Sequence, residues 1–99
     1  MDDERRQAKR APLLIEVRYE GGGRRGQSRI SDISATGVYI DTMNPLPDGS
    51  QAKLDFTLPG GYRVEAEGVV VRSEPSIGMA IRFKQINPQD QQRIADLVT

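Results

Sequence analysis

Residues 52–73 read AKLDFTLPGGYRVEAEGVVVRS, and this stretch carries the pattern that determines the fold class. In 52–58, apolar and polar side chains alternate at every position, which is the period of a β-strand with one buried face. Pro59–Gly61 supplies turn residues, and a second strand-like segment runs from Tyr62 to Ser73. The stretch therefore predicts a β-hairpin with two long strands.

The second strand of this hairpin changes phase at one glycine. Val64 and Ala66 share one face, whereas Val69 and Val71 have the opposite phase. A glycine inside a strand often marks a β-bulge, where one extra residue redirects the side chains. We therefore expect a bulge at Gly68 that re-aims the strand.

Four further segments outside this hairpin also have strand character. They are 13–19, 24–33, 38–40 and 77–83. Six short strands separated by turn residues suggest an antiparallel barrel, because closing the sheet removes its edge strands. The expected fold is thus all-β, a six-stranded antiparallel barrel with a C-terminal helix, in a domain that spans 13–99.

The C-terminal segment 87–98 carries the signals of a short helix. Asn87 is a good N-cap residue, and the proline after it suits the first helical position. Ile94, Leu97 and Val98 then fall at helical spacing and form one apolar stripe. We expect this stripe to dock the helix onto the sheet.

The composition excludes several functional classes. The chain has 99 residues, no cysteine and no histidine, so a disulfide framework, a thiolate zinc site and histidine-based acid–base catalysis are ruled out. Its 14 basic and 14 acidic residues balance, whereas general nucleic-acid binders usually carry a basic excess. It has no apolar run long enough to span a membrane, and its charged start is unlike a secretory signal peptide. We expect a soluble, cytoplasmic protein that is not an enzyme, with no metal, no cofactor, no DNA partner and no membrane insertion.

Charge is distributed unevenly along the chain. Residues 1–29 carry a net charge of +3, and the remainder carries −3. The basic cluster lies in 1–12, a polar segment that we expect to be a flexible arm able to fold around an anionic ligand. Its arginines are Arg5, Arg6 and Arg10. The alternative is a solvated terminal charge run.

A second candidate site is the segment Asp32-Ile-Ser-Ala-Thr-Gly37. A carboxylate such as that of Asp32 accepts from the N1–H and N2–H groups of guanine, and the Ser34 hydroxyl bonds a base edge or a phosphate. Gly37 allows a sharp turn or a close approach to a ligand. The alternative is an ordinary turn between strands, since Asp, Ser and Gly are common turn residues.

Residues 21–26 fit the pattern G-x-G-x-x-G but lack its structural context. A dinucleotide-binding site needs a helix after this turn, because the helix N-terminus holds the pyrophosphate. Here a second strand follows, so we interpret 21–26 as a hairpin loop.

The order of these features resembles that of the PilZ domain family, the bacterial receptors for cyclic di-GMP. The family carries an R-R-x-x-x-R arm, matched by Arg5, Arg6 and Arg10, and a [D/N]-x-S-x-x-G motif, matched by Asp32, Ser34 and Gly37. The last strand, 77–83, and the helix after it are also similar. The resemblance covers nearly the whole chain and implies a PilZ-like barrel that binds cyclic di-GMP.

The resemblance also implies a role for each motif residue. Arg6 and Arg10 would hold guanine edges and phosphates, and Arg5 would stack or take a second ligand. Family members with arginine at the Arg5 position often bind an intercalated ligand pair. Asp32 and Ser34 would recognise a guanine, and Gly37 would leave space for the ligand.

The output expected from this site is a switch rather than a reaction. Ligand binding would order the arm and create a surface for an unidentified downstream protein. Two alternatives stay open. One is a PilZ-like protein-interaction module that does not bind the nucleotide. The other is a small barrel that binds RNA through arginine-rich loops, which zero net charge and few aromatics disfavour.

Overall fold

A computed structural model describes residues 14–98 of the chain. The strands are β1 (Ile15–Gly21), β2 (Arg24–Ser34), β3 (Gly37–Asp41), β4 (Gln51–Leu58), β5 (Tyr62–Glu74) and β6 (Gly78–Ile86). All neighbours pair antiparallel, and the sheet closes in the order β1-β2-β3-β6-β5-β4. The predicted six-stranded antiparallel barrel is confirmed. The predicted arm, with Arg5, Arg6 and Arg10, lies outside the described residues.

Alternation along the strands builds the core inside the barrel. In β4 every second residue is buried, so that Phe56, the largest fully buried side chain, faces inward while Lys53 and Thr57 face outward. The other five strands also supply buried aliphatic side chains. No charged or polar residue of 14–98 is buried, so apolar burial is the main source of stability for this part of the chain.

The hairpin predicted for 21–26 is present between β1 and β2. Gly22 and Gly23 form a two-residue turn with φ angles of 57° and 78°. Positive φ at both central residues is the geometry that matches the twist of paired strands, and glycine adopts it without steric cost. The segment is a turn, not a phosphate-binding loop.

The expected bulge near Gly68 is present, but its extra residue lies on the partner strand. Glu67 pairs with Gln85 and Gly68 pairs with Phe83, so Lys84 of β6 is the unpaired residue. The alternation of β5 therefore continues through Gly68, and Val70 is buried.

A second bulge, at Val71, corrects the expected phase of β5. Val70 pairs with Ile81 and Arg72 with Ala80, which leaves Val71 as the extra residue. Val70 is buried and Val71 is 49% exposed, so the prediction that the apolar face switches to Val69 and Val71 at Gly68 was wrong. The physical reason is the position of the two bulges. The bulge near Gly68 places its extra residue on β6, so the phase of β5 changes only at the second bulge, at Val71.

Helix α1 (Pro88–Leu97) agrees closely with the predicted segment 87–98. The Asn87 side chain caps it by accepting from the Gln89 amide at 2.8 Å. Ile94 is fully buried, and the last apolar residues of the stripe pack partly against the core. None of the helical structure within 14–98 is long and apolar enough to cross a membrane.

Two contacts fix the helix relative to the strands. The Gln91 side-chain amide donates to the Ala35 carbonyl at 2.8 Å, which links α1 to the turn between β2 and β3. The Arg93 guanidinium lies 4.0 Å from the centre of the Tyr62 ring, at the start of β5. The helix thus lies at the barrel end that carries the β2–β3 turn.

Candidate functional site

The Asp-x-Ser-x-x-Gly segment forms the end of β2, the turn after it and the start of β3. Asp32 and Ser34 are two residues apart on β2, and both alternate with the buried Ile33. Gly37 begins β3 and pairs directly with Ser34. The barrel therefore brings Asp32, Ser34 and Gly37 together on its outer surface.

The Ser34 hydroxyl takes part in the turn that follows β2. Its Oγ accepts a hydrogen bond from the Thr36 amide at 3.2 Å and lies 3.1 Å from the Thr36 Oγ1. The Thr36 carbonyl accepts from the Phe83 amide at 2.9 Å, which ties the turn to β6. Ser34 therefore shapes the surface beside Asp32 through a local side-chain-to-backbone bond.

Gly37 is required here by space and not by a left-handed backbone, because its φ is not positive. A Cβ at this position would lie 2.2 Å from the Ile81 carbonyl oxygen and 3.2 Å from the Arg82 Cα. Any side chain would push β3 away from β6. The structure thus adds a reason for glycine, contact between two distant strands, that the turn pattern did not reveal.

Two cross-strand rows extend the motif over four strands. The first row is Asp32–Tyr39–Ala80–Arg72, and the second is Ser34–Gly37–Arg82–Val69. Neighbouring strands lie about 4.8 Å apart, so each row spans about 14 Å from β2 to β5. Each row has one small residue in its middle, Ala80 beside Tyr39 and Gly37 beside Arg82.

These rows line an open groove of about 290 Å³. Its lining includes Asp32, Ser34 and Gly37 on one side and Val71, Arg72 and Arg82 on the other. The sequence reasoning missed both arginines. The outward phase of Arg82 on β6 is readable from the sequence. The proximity of both arginines to Asp32 depends on the β3–β6 and β5–β6 pairings, for which no local signal exists.

Tyr39, Glu74 and Arg72 form a linked group at one end of the groove. The Tyr39 hydroxyl donates to the Glu74 Oε1, and the Arg72 Nε lies 3.8 Å from the same oxygen. The hydrogen bond to the Glu74 carboxylate, together with partial burial and the negative charge, raises the pKa of Tyr39 to about 12. The Tyr39 ring reaches Glu74 across Gly78, where a Cβ would lie 2.6 Å from the ring.

We expect Tyr39 to titrate near pH 12 in the folded protein. Because this pKa is above the ordinary value of 10.0, the hydrogen bond contributes its full stability below pH 10 and loses it as the pH rises toward 12. The ¹³Cζ shift of labelled tyrosine measures the midpoint. Glu74→Gln should lower it and Glu65→Gln, on the same strand, should not; a Tyr39 midpoint at the ordinary value would contradict the contact.

A larger concave surface, about 1310 Å³, is lined by parts of β1, β2, β4, β5 and β6 and by the start of α1, and no motif residue lines it. Its outward charges alternate across strands: Glu20 pairs with Arg25 on one side and Lys53 on the other, and Lys53 pairs with Glu67. Opposite charges placed in this way neutralise each other locally. We therefore assign the candidate site to the smaller groove, where the motif residues and two arginines meet.

A sequence model of the PilZ domain matches residues 4–99. The matched region includes Arg5, Arg6 and Arg10, whose positions lie outside the described residues, as well as Asp32, Ser34 and Gly37. No curated protein matches the sequence.

Three solved structures are similar to this barrel. The Bacillus subtilis inhibitor of motility (MotI/DgrA) has a TM-score of 0.77 and 22% identity, over 90% of this chain and 47% of that chain. The PilZ domain of CeSA from a cellulose-synthesizing bacterium has a TM-score of 0.68 and 20% identity, over 90% and 93%.

The third structure is the Borreliella burgdorferi PlzA protein in complex with c-di-GMP. It has a TM-score of 0.63 and 16% identity, over 100% of this chain and 38% of that chain. The chain thus spans less than half of the Bacillus and Borreliella proteins. At these identities the likeness establishes a common fold.

Proposed function

Because this chain belongs to the PilZ domain family, whose members are cyclic di-GMP receptors, we propose that it binds cyclic di-GMP in the groove beside Asp32 and Ser34. One observation carries the proposal. The barrel presents Asp32 and Ser34 side by side on one wall of an outward-facing groove, with Arg72 and Arg82 on the other wall. The similarity to the PlzA protein, whose structure is a complex with c-di-GMP, supports the same ligand.

The proposed contacts follow from the chemistry of the ligand. Asp32 accepts from the N1–H and N2–H groups of one guanine, and Ser34 contacts the same base or its phosphate. Arg6 and Arg10 pair with phosphates and with guanine O6/N7 edges through their planar forks, and Arg5 stacks on a base. An intercalated pair of ligands, with Arg5 contacting the second, is the proposed stoichiometry.

The proposed output is ordering of the N-terminal arm. Residues 5–10 contain three arginines and a lysine, and the chain enters β1 at Ile15. An anionic ligand that contacts both the arm and the groove joins them into one surface, to which a downstream protein binds. Binding, not catalysis, is the activity.

Calorimetry with cyclic di-GMP and the full chain tests this proposal. We expect a measurable heat of binding at micromolar protein concentration. The affinity should fall by about tenfold or more in Asp32→Ala, since charge-assisted hydrogen bonds are worth about 1.5–3 kcal/mol. Arg6→Ala should also weaken binding. Asp96→Ala, an exposed position on α1 outside the groove, is the matched control.

Added salt should also weaken binding, because much of it is charge pairing. GTP should bind far less tightly than the cyclic dinucleotide. Absence of heat with wild-type protein would reject the proposal and favour the interaction module that does not bind nucleotide. Binding of single-stranded RNA with similar affinity would favour the RNA-binding alternative.

A further inference from the structure

The wall of the groove opposite Asp32 carries two exposed arginines in different electrostatic settings. Arg82, on β6, forms no ion pair with any residue of 14–98. Arg72, on β5, lies 3.8 Å from the Glu74 carboxylate. Both side chains line the groove that holds the motif, yet neither belongs to the motif.

We infer that Arg82 and Arg72 form a phosphate-binding wall of this groove and that Glu74 is an internal competitor that limits the affinity for an anionic ligand. This inference rests on the proposed function and deepens it. It assigns phosphate contacts to the rigid barrel in addition to the N-terminal arm.

The geometry around Arg82 supports a phosphate contact. Arg82 pairs with Gly37, and Gly37 pairs with Ser34, so no side chain fills the space between Ser34 and Arg82. That space is about two interstrand distances wide, roughly 10 Å. A ligand that touches Ser34 on one side therefore meets the guanidinium of Arg82 on the other, and arginine pairs with phosphate through two parallel N–H donors.

The geometry around Arg72 explains the role of Glu74. Arg72 lies in the row that begins with Asp32, which is next to the row that contains Arg82. It therefore faces the same ligand as Arg82. The Glu74 carboxylate is held in place by the Tyr39 hydroxyl and lies beside the Arg72 guanidinium. The Glu74 carboxylate therefore pairs with Arg72 and also repels a phosphate that approaches Arg72. A ligand phosphate thus competes with Glu74 for the Arg72 guanidinium.

Calorimetric titration of single variants tests the inference. Arg82→Ala and Arg72→Ala should each lower the affinity for cyclic di-GMP by about tenfold. Arg63→Ala is the matched control, because Arg63 lies on β5, is as exposed as Arg72 and pairs with Asp55 outside the groove. It removes the same charge and should change the affinity by less than about twofold.

The fourth variant, Glu74→Gln, should raise the affinity by about three- to tenfold, because it removes a nearby like charge and frees Arg72. Its control is Glu65→Gln, also on β5, whose carboxylate pairs with Arg63. The gain should shrink in an Arg72→Ala background, since part of it acts through Arg72, and it should shrink as salt is added.

The outcomes separate this inference from the proposed function. If wild-type protein binds and Asp32→Ala weakens binding, but Arg72→Ala and Arg82→Ala behave like Arg63→Ala, the inference is wrong and the proposed function stands. Weaker binding by Glu74→Gln would overturn the competitor role. If wild-type protein does not bind, both fail. Thermal melts of every variant distinguish a lost contact from a lost fold.

Discussion

Replacing Gly37 with valine is expected to disrupt the barrel at the β3–β6 junction and to abolish ligand binding. The new Cβ would lie 2.2 Å from the Ile81 carbonyl oxygen, which is backbone and cannot move aside as a flexible side chain would. Relief of this clash requires β3 to separate from β6, so ladder hydrogen bonds are lost along with packing. We expect a loss of about 3 kcal/mol or more in the free energy of unfolding.

Thermal unfolding followed by circular dichroism measures this loss. A cost of that size lowers the melting temperature of a domain of this length by more than about 10 °C. Thr57→Val is the control, because it places the same side chain at an exposed position of β4. A Gly37→Val protein with wild-type stability would show that β3 and β6 do not pack as closely as described.

The second large effect is expected from Ile94→Ala in helix α1. A ten-residue helix is marginal alone in water, so α1 depends on the contacts of its apolar stripe. Ile94 is the one residue of this helix that is fully buried. Truncation leaves a cavity beneath the helix and should cost about 2–5 kcal/mol, a large part of the 5–15 kcal/mol typical of a domain.

Urea denaturation should show the Ile94→Ala midpoint about 1 M or more below that of wild type. Amide hydrogen exchange should be faster throughout α1 than in the barrel strands. Gln89→Ala, an exposed position in the first turn, should change stability by less than about 0.5 kcal/mol. Equal stability of Ile94→Ala and Gln89→Ala would mean that the helix does not depend on this contact.

Local sequence patterns predicted the secondary structure well because each has a local physical cause. The alternation in 52–58 follows from the two faces of a strand, and Gly22-Gly23 turns because both residues adopt positive φ. Asn87 caps α1 through a bond to a residue only two positions later. Such interactions connect neighbours in the chain, so they can be read from the sequence.

The phase of β5 could not be read in the same way. Val69, Val70 and Val71 are chemically alike, so the sequence does not say which of them faces the core. The choice depends on where the sheet accommodates its bulges, and that depends on Lys84 of the partner strand as well as on β5 itself. Val70 is buried because the first irregularity lies on β6.

The candidate site likewise has one half that the sequence predicts and one half that it does not. Asp32, Ser34 and Gly37 are close in sequence, so their grouping on the surface follows from one strand end and one turn, and the sequence alone determined that half of the groove. Arg72 and Arg82 come from strands about 40 to 50 residues later and reach the motif only through the β2–β3–β6–β5 pairing. Only the tertiary structure decided that half, because every strand carries the same backbone donors and acceptors, so the local sequence of a strand does not specify which distant strand it pairs with.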